Sequence, residues 1–221
     1  MCGRFVRHRS PRMLADELGV PVVQCDLGPS YNVAPRQPVA VVLEDGRKKL
    51  VTMQWGLIPS WARDDTIGNK LINARCETVA EKPSFRASFR SRRCLIPADG
   101  FYEWTQAGGR KVPVYVQLGD GAPFCMAGLY DTWVAPDGEQ RTTCAIITTE
   151  ANGFMRSIHS RMPVIVPPHD HDRWLDPATD RAELTRIMRP FDGALRATPV
   201  STRVNTPLYN APDCIEPAGS D

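Results

Sequence analysis

The chain has 221 residues, enough for one large domain with a sizeable core, and its 42% hydrophobic and 24% charged content is that of a globular protein. No apolar run approaches the roughly 20 residues of a membrane span, and seven cysteines without a CxxC pair argue against a disulfide framework or a zinc site and for a reducing compartment. The net charge of +2 hides an asymmetry: residues 1–111 carry 18 basic and 11 acidic side chains, whereas 112–221 carry 9 and 14, so a polyanion-binding face belongs in the first half.

The chain opens MCGRFV, which lacks the apolar stretch of a secretory signal. Residues 2–6 suit a buried first strand, with Cys2 as a small apolar side chain. PRMLADELG predicts a short helix, with Pro11 in its first turn and Gly19 as C-cap. Two apolar runs, Val39–Leu43 and Leu50–Trp55, flank Asp45-Gly46 and predict a hairpin. KPSFRASFRSRR at 82–93 holds five cations, no acid and two phenylalanines. It suits a helical turn or two starting at Pro83, with Arg86 and Arg90 on one face. Cations interleaved with aromatics are one signature of nucleic-acid contact, and a solvated face is the alternative. CLIPADGFYEW, VPVYVQL, FCMAGLYDTW and TCAIITT then predict strands, ANGFMRSIH a short helix, RMPVIVP a strand, and DHDRWLD and RAELTRIM helices. No linker divides the chain. The expected fold is α+β: a single domain at 2–209 around a twisted, mostly antiparallel, barrel-like sheet with peripheral short helices. The proline-rich residues 210–221 are expected to form a loose tail.

Four stretches place polar residues where packing does not require them. They are Cys2-Gly3-Arg4; LINARCET, whose Asn73, Arg75 and Glu77 would share one face of a strand; Glu103 between Tyr102 and Trp104; and His159 with Arg161 ahead of an apolar strand. Asn73 alone also fits a satisfied core amide, Glu103 a structural ion pair, and His159 a packed histidine. A carboxyl among aromatics has a raised pKa suited to proton transfer. His169 and His171 lack a third metal ligand and, with His8, are expected at the surface.

MCGRF at the start, YNVAP at 31–35, WGLIPSW at 55–61, LINARCET at 71–78, ADGFYEW at 98–104 and IHSRMP at 158–163 resemble, in order and spacing, the SRAP family. These are the SOS-response-associated peptidase-like, or abasic-site processing, proteins. The resemblance runs from residue 2 to about 209. It implies a single α+β domain with a barrel-like core, binding of single-stranded DNA in a basic groove, and covalent capture of abasic sites. Cys2, exposed as the first residue once Met1 is removed, would be the nucleophile, with Asn73, Glu103 and His159 as helpers. Arg4, Trp55, Trp61, Arg75, Phe85, Arg86 and Arg161 would contact DNA. The implied protein is a monomer in the cytoplasm, associated with the nucleoid when on DNA, with no metal, organic cofactor or membrane. Weak AP-lyase activity and autocatalytic removal of Met1 are implied side activities. The alternatives are a thiol peptidase and a non-covalent reader of modified or damaged DNA.

Overall fold

Apolar runs without alternation must be covered on both faces, and the computed structural model, which describes residues 2–219, shows how. The chain runs β1 (Phe5–Arg7), α1 (Pro11–Leu18), β2 (Val22–Gln24), β3 (Ser30–Val33), β4 (Pro38–Glu44) and β5 (Lys48–Trp55). After the short β6 (Asn73–Arg75) come α2 (Arg86–Ser91), β7 (Arg93–Ala98), β8 (Gly100–Ala107), β9 (Arg110–Leu118), β10 (Phe124–Val134) and β11 (Gln140–Glu150). The last part contributes β12 (Arg161–Pro163), β13 (Ile165–Val166), α3 (His171–Leu175), α4 (Arg181–Ile187) and β14 (Leu195–Pro199).

Local chemistry explains several boundaries. Ser10 Oγ accepts from the Met13 N–H, Pro11 occupies the first turn of α1, and Gly19 ends it with φ of 63°. The β4–β5 hairpin pairs Val41 with Val51 and Glu44 with Lys48 around Gly46. The stretch CLIPADGFYEW is two strands, not one. It breaks at Asp99, whose carboxylate accepts from the His8 and Arg9 backbone N–H groups, and β7 and β8 belong to different sheets.

One sheet has the order β14-β9-β8-β1-β3. The other runs β12-β11-β10-β7-β4-β5-β2, and β5 also pairs in parallel with β11, which closes β11-β10-β7-β4-β5 into a ring. The expected α+β fold with a barrel-like, mostly antiparallel core is therefore present. The parallel ladders are β5–β11, β6–β11 and β2–β5. Alternate residues of the ring strands feed two cores. Val41, Met53, Ile96, Met126 and Ile146 pack with Phe5, Phe101 and Val116 of the other sheet. Val42, Leu95, Ala127 and Ile147 pack with Phe89, Trp174, Leu184 and Ile187 of the helices.

Several expectations need correction. Residues 210–218 are not loose: Asn210 Oδ1 accepts from the Tyr31 N–H, Cys214 is fully buried, and Pro217 bridges to Val200. Residues 220–221 lie outside the described residues. The helix expected from Pro83 begins at Arg86. Strand β6 ends at Arg75, so Glu77 follows in a turn instead of sharing its face. His171 is buried, with Nε2 3.1 Å from the Val166 carbonyl, because α3 packs against β7.

Candidate active site

Antiparallel pairing puts the start of the chain beside β8. Phe5 pairs with Phe101, and the Tyr102 N–H donates to the Arg4 carbonyl at 2.9 Å. Continuing that register lays residues 2–3 along Glu103. Cys2 is fully buried in the core shared by the two sheets. Burial, reinforced by the charge of Glu103, pushes its thiol far above the ordinary range, so in this state the sulfur stays protonated.

Asn73 opens β6, which β11 holds through the Asn73–Ile146 pairing. Its Nδ2 donates to the Cys2 carbonyl at 2.8 Å, and its buried Oδ1 has no partner among the described residues. The residue before it is pinned by Trp55, whose indole N–H donates to the Ile72 carbonyl at 2.9 Å. Gly56, next in the chain, has φ of +120°, and a Cβ there would lie 2.6 Å from the Gly68 carbonyl oxygen. The WGLIP turn therefore requires glycine at that position.

Glu103 is 3% exposed, and its Oε2 lies 4.0 Å from Nε2 of the half-buried His159. Nδ1 of His159 accepts from the Arg161 N–H at 2.9 Å, which places the proton of the neutral ring on Nε2, toward Glu103. The Arg161 carbonyl, 3.1 Å from Nδ1, can accept if that nitrogen is protonated. Arg161 itself donates to the Thr148 carbonyl at 2.7 Å and forms a two-pronged pair with Glu77, holding that carboxyl below its ordinary value. The structure thus brings Cys2, Asn73, Glu103 and His159 together from the N-terminus, β6, β8 and the loop before β12.

Burial raises the Glu103 carboxyl above the ordinary carboxylate range, with the facing His159 opposing it. Between the unfolded and folded values the folded chain holds a proton that the unfolded chain releases, so stability falls as pH rises through that window. Glu103→Gln is therefore expected to melt at a higher temperature than the unmodified chain at neutral pH. The two should converge on acidification below the ordinary glutamate value. Calorimetry across pH checks this; a lower melting temperature at neutral pH would show that the ionised form is the favoured one.

The expected DNA contacts divide by exposure. Trp61 (58% exposed), Arg75 and Arg86 face solvent. Trp55 does not: it is fully buried, and neither ring face is open to a base. Phe85, 7% exposed, packs into the helix-covered core. Arg4 is also buried, and its guanidinium donates to Asn32 Oδ1 and the Val204 carbonyl, both at 2.7 Å. In this structure these three side chains are buried in structural contacts and present no open face.

Sequence reasoning missed a strap beside the site. The Asn32 amide donates to the carbonyls of Val204, Thr206 and Tyr209, and the Trp104 indole donates to Asn205 Oδ1 at 2.8 Å. Together with the Arg4 guanidinium, these bonds tie residues 204–209 to Arg4, Asn32 and Trp104, close in the chain to Cys2 and Glu103. Asn32 lies within the YNVAP motif, but partners some 170 residues away leave no local signal. Among the described residues no group of three or more His, Cys, Asp or Glu side chains is placed to hold a metal ion, and no helix is long and apolar enough to cross a membrane.

Comparison with known proteins agrees with this architecture. Residues 1–207 match the family model described as SOS response associated peptidase (SRAP). The chain is 42% identical over 222 residues to the abasic site processing protein YoqW of Bacillus subtilis, covering 98% of this chain and 99% of that one. It is 32% identical to the abasic site processing protein HMCES of Gallus gallus, over 86% of this chain and 66% of the relative. A crystal structure of a Bacteroides thetaiotaomicron protein superposes with a TM-score of 0.90 at 30% identity, covering 98% of this chain and all of the other.

Proposed function

Because the chain belongs to the SOS response associated peptidase (SRAP) family, we propose that it captures abasic sites in single-stranded DNA covalently through Cys2, after removal of Met1. The observation that carries this reading is the placement of residue 2 between the Asn73 amide and the Glu103–His159 pair. The printed names of the relatives YoqW and HMCES support abasic-site handling.

Removal of Met1 leaves an amine and a thiol on one residue. An abasic deoxyribose equilibrates with an open aldehyde, and an amine attacks its carbonyl carbon to form a carbinolamine. An α-amine, with a reference pKa near 8, is neutral far more often at pH 7 than a lysine near 10.4. Protonation of the carbinolamine oxygen releases water and leaves an imine. Addition of the thiol to the imine carbon, with transfer of its proton to nitrogen, closes a five-membered thiazolidine. Overall, aldehyde and aminothiol condense with loss of one water.

Glu103 is suited to carry protons in these steps, because burial raises its carboxyl pKa and the His159 imidazole faces it. His159, with its Nε2 proton toward Glu103, promotes ring opening by exchanging protons with the sugar oxygen. Asn73 holds the Cys2 carbonyl and so fixes the direction of the amine. The imine also acts as an electron sink, which allows slow β-elimination of the 3′ phosphate as a side reaction. The His159–Glu103 arrangement favours acid–base work on a sugar over the thiol–imidazole pairing of a peptidase.

The test is direct. An abasic single-stranded oligonucleotide mixed with the mature protein should give a species that survives denaturing electrophoresis, and an undamaged strand should not. Absence of that species sinks the reading.

Strand binding should separate the two tryptophans. Trp61→Ala is expected to weaken binding to undamaged single strands by about 1–3 kcal/mol, the scale of one base-stacking contact. Trp55→Phe should lower thermal stability and leave strand affinity unchanged, since its indole lies in the core. Binding isotherms on folded protein distinguish these outcomes; the reverse pattern would place the stacking face elsewhere.

A further inference from the structure

Away from the Cys2 site, α2 and the segment entering α4 face each other across a groove of about 710 Å³. Its lining includes Arg86, Arg90, Arg92, Arg93 and Arg181, and no aspartate or glutamate lines it among the described residues. Two of these cations are committed. Arg93 donates to the carbonyls of Phe89, Arg90 and Trp174, and Arg92 lies 3.3 Å from Asp131. The other three are exposed. Arg86 and Arg90 have no ion pair among the described residues, and Arg181 reaches only Glu81, at 4.0 Å, with both side chains 73% exposed. Such an exposed pair contributes little.

A concave surface lined by one sign of charge repels itself unless a polyanion occupies it. Guanidinium groups match phosphate oxygens with paired hydrogen bonds. Arg86 and Arg90 stand one helical turn apart, about 6 Å at Cβ, a step comparable with that between neighbouring phosphates of an extended strand. The groove is also linked to the Cys2 site along the chain. One continuous segment carries the exposed cations Arg75, at the end of β6, Lys82, Arg86 and Arg90, with the exposed acids Glu77, paired with Arg161, and Glu81 between them.

We infer that this groove holds the phosphodiester backbone of the single strand flanking the captured site. The inference rests on the single-stranded-DNA reading above and extends the strand's path beyond the chemistry. A recess with cations on its walls fits a single strand, whereas a duplex would contact only its rim.

The test compares Arg90→Ala/Arg181→Ala with Arg110→Ala/Lys111→Ala, which removes the same charge from the β8–β9 hairpin. Affinity for undamaged single strands of about 6 and about 20 nucleotides is measured across salt concentrations, with adduct yield on a short abasic strand measured in parallel. The groove variant should bind the long strand about tenfold more weakly at low salt, the scale of two exposed charge contacts. Its log–log salt slope should be shallower by about 1.4, from roughly 0.7 per phosphate. Short-strand affinity and adduct yield should be unchanged, and the hairpin variant should stay within about twofold of the unmodified chain. Equal loss in the hairpin variant, or no loss in the groove variant, would overturn the inference. If the unmodified chain forms no adduct, covalent capture fails, and the long-strand comparison still decides the groove.

Discussion

Cys2→Ala is expected to abolish the denaturation-stable adduct proposed for abasic single-stranded DNA, by ~100-fold or more in yield, while binding to undamaged strands is retained. Alanine keeps the terminal amine, so the imine still forms, but without sulfur nothing closes the ring and the imine hydrolyses. Borohydride should therefore rescue a reduced adduct from the alanine chain. Cys2→Ser should behave in the same way, because a hydroxyl gives a less stable ring than a thiol. The substitution removes only a buried sulfur from the core, a loss on the order of 1–2 kcal/mol, so an unfolded chain is not the expected outcome. Circular dichroism and strand binding provide the control. Equal yields of stable adduct from the alanine chain would move the chemistry to another residue.

A chain whose N-terminus is blocked by an extension that cannot be cleaved is expected to lose the stable adduct to a similar degree, although every side chain is intact. The extension turns the Cys2 nitrogen into an amide, whose lone pair is delocalised and does not attack carbonyls. The thiol remains but can form only a reversible hemithioacetal, and its pKa is raised by burial. The exposed cations and Trp61 are untouched, so affinity for undamaged strands stays the same. Comparing blocked and unblocked protein at matched occupancy, with adduct surviving denaturation as the readout, isolates the amine. Equal rates and stability in the blocked chain would make Cys2 a simple thiol nucleophile and favour the peptidase-like reading.

The strands and the hairpin were legible because apolar periodicity and Gly-containing turns are local signals. The helix at Pro11–Leu18 carries both of its caps in sequence. The break at Asp99 was not legible: an apolar run on either side of ADG reads as continuous, and only the long-range bonds from His8 and Arg9 reveal the crossing between sheets. The four candidate site residues sit in four separate motifs, and their convergence depends on the β1–β8 and β6–β11 pairings, which no motif encodes. The DNA contacts were the least legible part. Trp55, Phe85 and Arg4 have the right chemistry for nucleic acid, but residue type alone does not distinguish an exposed ring or guanidinium from a buried one. The strap from residue 204 to 209 was invisible because its partners come from the first third of the chain and from β8.

The most direct measurement of the central claim is the intact mass of the mature protein after reaction with an abasic oligonucleotide, followed by mapping of the modified peptide. Ring closure through the amine and thiol of Cys2 predicts the summed masses of protein lacking Met1 and DNA, less one water, with the modification confined to the N-terminal peptide and no free thiol at Cys2. A mass equal to the full sum with no water lost, a modified peptide from elsewhere in the chain, or a Cys2 thiol that still alkylates in the adduct would contradict it.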